Sequence, residues 1–156
     1  MDGDREIIEA FGRTRDKTLE LIEAIPEGWL SRKAEGEQYS LGRVLQHIAS
    51  ADAWWMYRVM NDAGGMITVD EGLPKTEILQ LLRAMRDRVV GFFSEEGAMG
   101  TAYAYPRPDG QTRPLSGRWC LLYLLQHEVH HRAKVVLALR QWGMQEIPFL
   151  PYSGWD

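Results

Sequence analysis

The sequence predicts an all-α fold, a four-helix bundle, and three observations carry that expectation. Apolar residues recur at three- and four-residue spacing in four separate segments, each long enough for several helical turns. Chain breakers fall between them: Pro26, the run Gly64-Gly65 to Pro74, the stretch from Gly97 to Gly117, and Gly143. No repeat, low-complexity tract or compositional break divides the 156 residues, so one domain over 1–156 is expected. At that length it can bury roughly two-thirds of its unfolded surface.

The first helix is expected from about Asp4 to Ile25, with Ile8, Phe11, Leu19 and Ile22 inward and Pro26 ending it. The polar linker from Glu27 to Tyr39 contains Trp29 and Leu30, which tuck its start onto the bundle. Ser40 is suited to cap a second helix whose buried stripe contains Val44, His47, Ile48, Ala51 and Trp55. A loop follows from Asn61 to Pro74. The third helix begins near Thr76, where Glu77 suits the positive end of the helix dipole, and buries Ile78, Leu82, Met85, Val89 and Phe92 or Phe93. Residues 97–117 read as irregular, with a turn at Pro108-Asp109-Gly110 and a short strand at Tyr103 to Tyr105. Ser116 caps a fourth helix running to Gly143, with Cys120, Leu124, His127, His131, Val135 and Ala138 inward. The tail from Met144, with Phe149, Tyr152 and Trp155, reads as an extended strap. The linkers after the first and third helices are long enough to cross a bundle, which allows an up-up-down-down order.

Composition excludes several function classes. Eighteen basic and twenty-two acidic residues give a net charge of −4, without a basic cluster, so nucleic acid is not an expected partner. No apolar run approaches the ~20 residues of a membrane span, and the charged start Met-Asp-Gly-Asp-Arg-Glu does not read as a secretory signal. The single cysteine, Cys120, cannot form an internal disulfide, which fits a cytoplasmic protein. Its apolar surroundings read as an inert buried thiol.

All four histidines lie in two of the helical segments. His127 and His131 are one helical turn apart, an i, i+4 spacing that stacks both imidazoles on one face, where they can share a metal ion. A lone histidine on an apolar face is usually a hydrogen-bonded core residue, and that is the default for His47 by itself. For two such imidazoles a shared metal satisfies both polar nitrogens at once. His130 diverges from His131 by about 100° and reads as peripheral. The pairing of His127 with His130 at i, i+3 is the alternative. The run His127-Glu128-Val129-His130-His131 also matches the H-E-x-x-H pattern of zinc proteases, with Glu128 as general base. The pattern stands alone, because position 137 is Leu137 where metzincins need a third histidine, and no substrate-binding sheet is expected. With a reference pKa of about 6.5, a histidine-bound metal should leave below roughly pH 6.

The two histidine contexts together resemble the DinB/YfiT-like superfamily. The matching pieces are Tyr39-Ser40 followed by His47 in the second helix, and His127-Glu-Val-His-His-Arg132 in the fourth. The chain departs from the common pattern at Ala133 and Lys134, where glycine and glutamine are frequent. The resemblance covers nearly the whole chain. It implies an up-up-down-down bundle, a divalent metal (nickel or zinc) held by His47, His127 and His131, and a homodimer. It also implies a thiol-dependent isomerase or S-transferase acting on a small molecule with a low-molecular-weight thiol as cosubstrate.

Three neutral ligands leave a coordination position open, as in catalytic sites, and suit activation of a thiol or of water. The rival expectation is a non-enzymatic protein stabilised by metal, or a stress-response binding module; a zinc-dependent hydrolase ranks below both. Glu128, His130 and Arg132 stand near the histidines with no assigned role. Trp54, Trp55, Tyr57 and Trp119 are candidates to line a cleft, with core packing as the default for each.

Overall fold

The computed structural model describes residues 2–148, so Phe149, Tyr152 and Trp155 of the expected strap lie outside the described residues. Four helices carry the architecture: α1 (Asp2–Ala24), α2 (Leu41–Trp54), α3 (Lys75–Phe93) and α4 (Gly117–Gln141). None is long and apolar enough to cross a membrane.

Each helix begins and ends for a local reason. Pro26 lacks the N–H that would continue α1, and one turn of 3-10 helix, Glu27–Trp29, then delivers Leu30 to the core. Trp29 packs edge-on against Trp142, with ring centroids 5.8 Å apart, so the linker is pinned to the end of α4. Ser40 and Ser116 both cap as expected: their hydroxyls accept from Arg43 N at 3.3 Å and from Trp119 N at 3.2 Å. α2 continues as a π turn over Trp55–Val59 and stops at Asn61, whose φ of 56° turns the chain out of the helix. The inward face of α2 is Leu41, Leu45, Ile48, Ala49, Asp52 and Met56. Val44, His47 and Ala51, expected inside, stand on its flank.

Residues 97–117 are more regular than the sequence suggests. β1 (Ala102–Pro106) and β2 (Thr112–Ser116) form an antiparallel hairpin, with Tyr103 opposite Leu115 and Tyr105 opposite Arg113. All five β1 residues are exposed or half-buried, with Tyr103 and Tyr105 on the half-buried side, and in β2 only Leu115 is buried, so the hairpin has no continuous buried apolar face. Gly117 joins the hairpin to α4 where the chain passes close to residue 98. A Cβ at Gly117 would sit 2.1 Å from the Ala98 carbonyl oxygen, which only glycine avoids.

The expected up-up-down-down order is corrected to up-down-down-up. Arg118, at the start of α4, donates to Asp4 at 2.7 Å, and Arg132 donates to the Thr14 carbonyl at 2.9 Å, so α1 and α4 run parallel. Glu23 of α1 meets Arg83, while Asp16 meets Arg86, so α3 runs against α1. His47 lies beside His131 and Trp55 beside Trp119, so α2 runs against α4. The long crossing is therefore the Asn61–Pro74 loop, not the linkers after α1 and α3. Fourteen extended residues reach about 46 Å, well beyond the length of α3. Gln46 holds the loop to α2 through both Asp70 backbone groups, at 2.6 and 2.8 Å, and Ser40 donates to Glu71 at 2.6 Å.

α1 and α2 each pack against both α3 and α4, which places α1 and α2 on one diagonal of the bundle. Across that diagonal runs a charged cluster that is 0% exposed: Arg15, Asp52 and Glu128. Arg15 donates from Nη2 to Asp52 at 2.5 Å, from Nε to Glu128 at 2.9 Å, and from Nη1 to the Leu82 carbonyl at 2.9 Å. One side chain of α1 thus binds all three other helices. Burial opposes the Arg15 charge, yet Glu128 and Asp52 outweigh it and hold the guanidinium above its ordinary range. Burial pushes the Asp52 carboxyl up to about 7 against the opposing pull of Arg15.

Two substitutions test this packing. Gly117→Ala should cost about 1–3 kcal/mol through overpacking against fixed backbone. Urea unfolding checks it, and wild-type stability would mean that the hairpin and α4 are not in firm contact. Arg15→Met should cost about 3–5 kcal/mol by leaving two buried carboxylates unpaired. A neutral effect on the unfolding midpoint would contradict the cluster as described.

Candidate metal centre

The antiparallel packing of α2 on α4 decides what the histidines can do. His47 enters from the first half of α2, and His127 and His131 from successive turns in the middle of α4. Their ring centroids lie 5.1 Å apart for His47 and His127, 4.8 Å for His47 and His131, and 4.4 Å for His127 and His131. One ring nitrogen from each falls within 4.8 Å of the other two. The three residues named from the sequence are thus brought together across eighty residues of chain.

The donor set fits a divalent ion. The Nε2 atoms of His47 and His127 are 3.3 Å apart. Two nitrogens bound to a tetrahedral zinc at about 2.0–2.1 Å stand roughly 3.3–3.4 Å from each other. The Nδ1 atoms of His127 and His131 are buried without a hydrogen-bond partner among the described residues, and an ion on His127 Nε2 would leave that Nδ1 unpaired. Each imidazole also resists protonation. Burial, then the proximity of His47 and His130, lowers His127 to about 4. Burial, then His127 and His47, lowers His131 to about 3. Partial burial lowers His47 as well, although it is the most open of the three. Neutral imidazole is the form that ligates a metal, so the cluster can hold a divalent cation.

The neighbouring candidates separate cleanly. His130 is exposed, beside His131 but outside the converging set, as its divergence along the helix requires. Arg132 is committed to the Thr14 carbonyl. Glu128 points into the core, fully buried and paired with Arg15, so it cannot serve as the general base that an H-E-x-x-H protease needs. Trp55 is buried in an aromatic cluster with Tyr105, Trp119 and Tyr123, and Tyr123 stacks toward His127 at 6.3 Å between centroids. Trp54 packs against Trp55 and Tyr105, while Tyr57 is exposed. These aromatics form a packed wall beside the histidines rather than an open cleft. An apolar pocket of about 90 Å³ lies on the other side, between Leu41 and Val44 of α2, Val135 and Ala138 of α4, and the linker at Tyr39.

Sequence reasoning missed Arg15 and Asp52 and left Glu128 without a place. Their signal was position: Arg15 lies four residues from both Phe11 and Leu19, Asp52 four after Ile48, and Glu128 four after Leu124. Each is a charge standing within an apolar stripe.

A family model described as DinB family matches residues 1–152. Among solved structures, the chain is similar to a DinB-like protein, YjoA, from Bacillus subtilis. The two share 18% sequence identity at a TM-score of 0.62, over 92% of this chain and 96% of that one, a likeness in fold. No curated protein matches the sequence.

Two outcomes follow from the histidine environment. His127→Ala or His131→Ala should abolish stoichiometric zinc binding in equilibrium dialysis, whereas His130→Ala should leave it nearly intact; equal losses would show that the pairing is wrong. Acid should act later than reference pKa values imply. The ion-free folded protein keeps His127 and His131 neutral to about pH 4 and 3, while the unfolded chain protonates near 6.5. Between those limits the unfolded state binds more protons, so the histidine contribution to stability is full above pH 6.5 and is lost as pH falls. Zinc should accordingly stay bound to lower pH than three histidines at their reference value would allow. Imidazole NMR titration of the ion-free protein checks the cause, and His127 and His131 titrating at the reference value of about 6.5 would contradict their burial as described.

Proposed function

Because the chain belongs to the DinB family, we propose that it is a divalent-metal-binding protein whose three-histidine site activates a thiol or water in a metal-dependent enzyme. The thiol-dependent S-transferase or isomerase type is the reading favoured. The observation that carries it is the convergence of His47, His127 and His131, three neutral donors with no fourth histidine, cysteine or carboxylate in the cluster among the described residues. Imidazole donors suit zinc and nickel alike. When bound, such an ion keeps its full charge and an open position, and favours the deprotonated form of a thiol or water there.

The residues of the chain do the remainder. His127 and His131 offer neutral nitrogens because burial disfavours their charged forms. The aromatic wall of Trp55 and Tyr123 shields one side of the site from water. The pocket at Val44 and Val135, one turn beyond His47 and His131, supports a small apolar substrate group. Lys134 and Glu37, paired at 3.0 Å, form its charged rim. The exposure of His47 supports an exchangeable position over a sealed structural metal. The burial of Glu128 against Arg15 removes support from the zinc-hydrolase alternative. A homodimer is part of the same proposal, with exposed Leu122 and Val129 on the outer side of α4 as its apolar surface.

Zinc- and nickel-loaded protein, screened with several low-molecular-weight bacterial thiols and small electrophiles, tests the reading. Metal-dependent thiol consumption that disappears in His47→Ala, while the apo variant stays helical, is the expected result. Full metal occupancy with no thiol or hydrolytic turnover would favour the non-enzymatic alternative.

A further inference from the structure

We infer that Arg15 is a positioning residue for the metal site: its fork to Asp52 and Glu128 fixes the register of α2 against α4 and so sets the distance from His47 to the pair on α4. The inference rests on the metal reading above. Two of the three donors need no such device, because one helix fixes the spacing of His127 and His131. The third comes from a different helix, and its place depends wholly on how α2 sits along α4. Apolar side chains at that interface, Leu45, Ile48, Leu121 and Leu124, resist separation but tolerate sliding.

A planar guanidinium does not. Nη2 grips Asp52, five residues along α2 from His47, and Nε grips Glu128, the residue next to His127. The two carboxylates are therefore tied to one rigid fork at the depth of the histidines. Nη1 adds the Leu82 carbonyl of α3, so Arg15 cannot follow either helix without breaking a bond. The fork also reaches across the bundle diagonal, where α1 and α2 share no packing face of their own. Metal ligands tolerate errors of only about 0.2 Å, so a modest slide of α2 removes His47 from the shell. Asp52 Oδ1 and Glu128 Oε2 are buried without a partner among the described residues. A cluster that leaves such atoms unpaired is a costly way to add stability and a direct way to specify register.

The test uses the full chain and two variants. In the first, Arg15→Met, Asp52→Leu and Glu128→Met together replace all three charges with apolar groups. In the second, Arg15→Lys keeps the charge but replaces the fork with a compact ammonium. Zinc affinity is read by competition with a chromophoric chelator, and geometry by the visible spectrum of the cobalt-substituted protein. Register is read without metal, from the distance between nitroxides at Arg58→Cys on the α2 end and Gln126→Cys on α4. Cys120, buried with its thiol pushed up to about 11, stays unlabelled.

The triple variant should keep wild-type helicity and melting temperature, yet lose about 10–100-fold in zinc affinity. Its cobalt spectrum should shift and its nitroxide distances broaden. If the triple variant does not fold, Arg15→Lys decides by the same readouts. A folded variant with wild-type affinity, spectrum and distances would overturn the inference. If wild-type protein itself binds no zinc, the metal reading fails by itself; nitroxide distances that still broaden in the variants would then uphold the register role of Arg15, and variant distances equal to wild type would overturn it too.

Discussion

The guanidinium of Arg15, held between Asp52 and Glu128 in the middle of the bundle, is the interaction on which the rest of the structure depends. Bringing three charges out of water is costly, and only near-complete pairing offsets that cost. Because the partners come from α2 and α4 and a third bond reaches α3, pairing is complete only when all four helices are in place. Packing of Leu, Ile and Phe residues makes the bundle stable. The charged cluster selects one arrangement of it.

That arrangement produces the candidate site. The same antiparallel contact of α2 and α4 that lets Asp52 and Glu128 share Arg15 brings His47 beside His127 and His131 on the flank of the pair. Two faces of α4 about 100° apart thus serve two purposes: Glu128 turns into the core and His127 toward α2. This explains why the H-E-x-x-H match misleads. The spacing of its two histidines is chemically meaningful, but its glutamate belongs to the core. Burial of the imidazoles then keeps them neutral, ready to ligate at pH values where an exposed histidine would be charged.

Much of this was legible in the chain. Helical periodicity, Pro26, and the capping serines Ser40 and Ser116 located the helices to within a few residues, because each signal is local. The i, i+4 spacing of His127 and His131 needed only the helix itself. The partnership with His47 was open to the sequence only on condition that the two helices pack side by side, and the family resemblance supplied that condition, since no local rule says which helices touch. Helix direction was misjudged because linker length bounds what a loop can reach and does not say which loop crosses. The crossing is set instead by tertiary bonds such as Gln46 to Asp70. The hairpin at 102–116 was half seen: Tyr103 and Tyr105 alternate with exposed residues in β1, whereas β2 buries Leu115 alone and carries no such pattern. Arg15, Asp52 and Glu128 each read as a surface charge in isolation, and only their opposite signs on three apolar stripes mark them as a set.

X-ray absorption at the zinc edge of the loaded wild-type protein tests the central claim most directly. Three imidazole nitrogens at about 2.0–2.1 Å and one additional light ligand not contributed by the protein should account for the shell. Two imidazoles, or a shell closed by a fourth protein ligand, would contradict the convergence of His47 with His127 and His131 on one open metal.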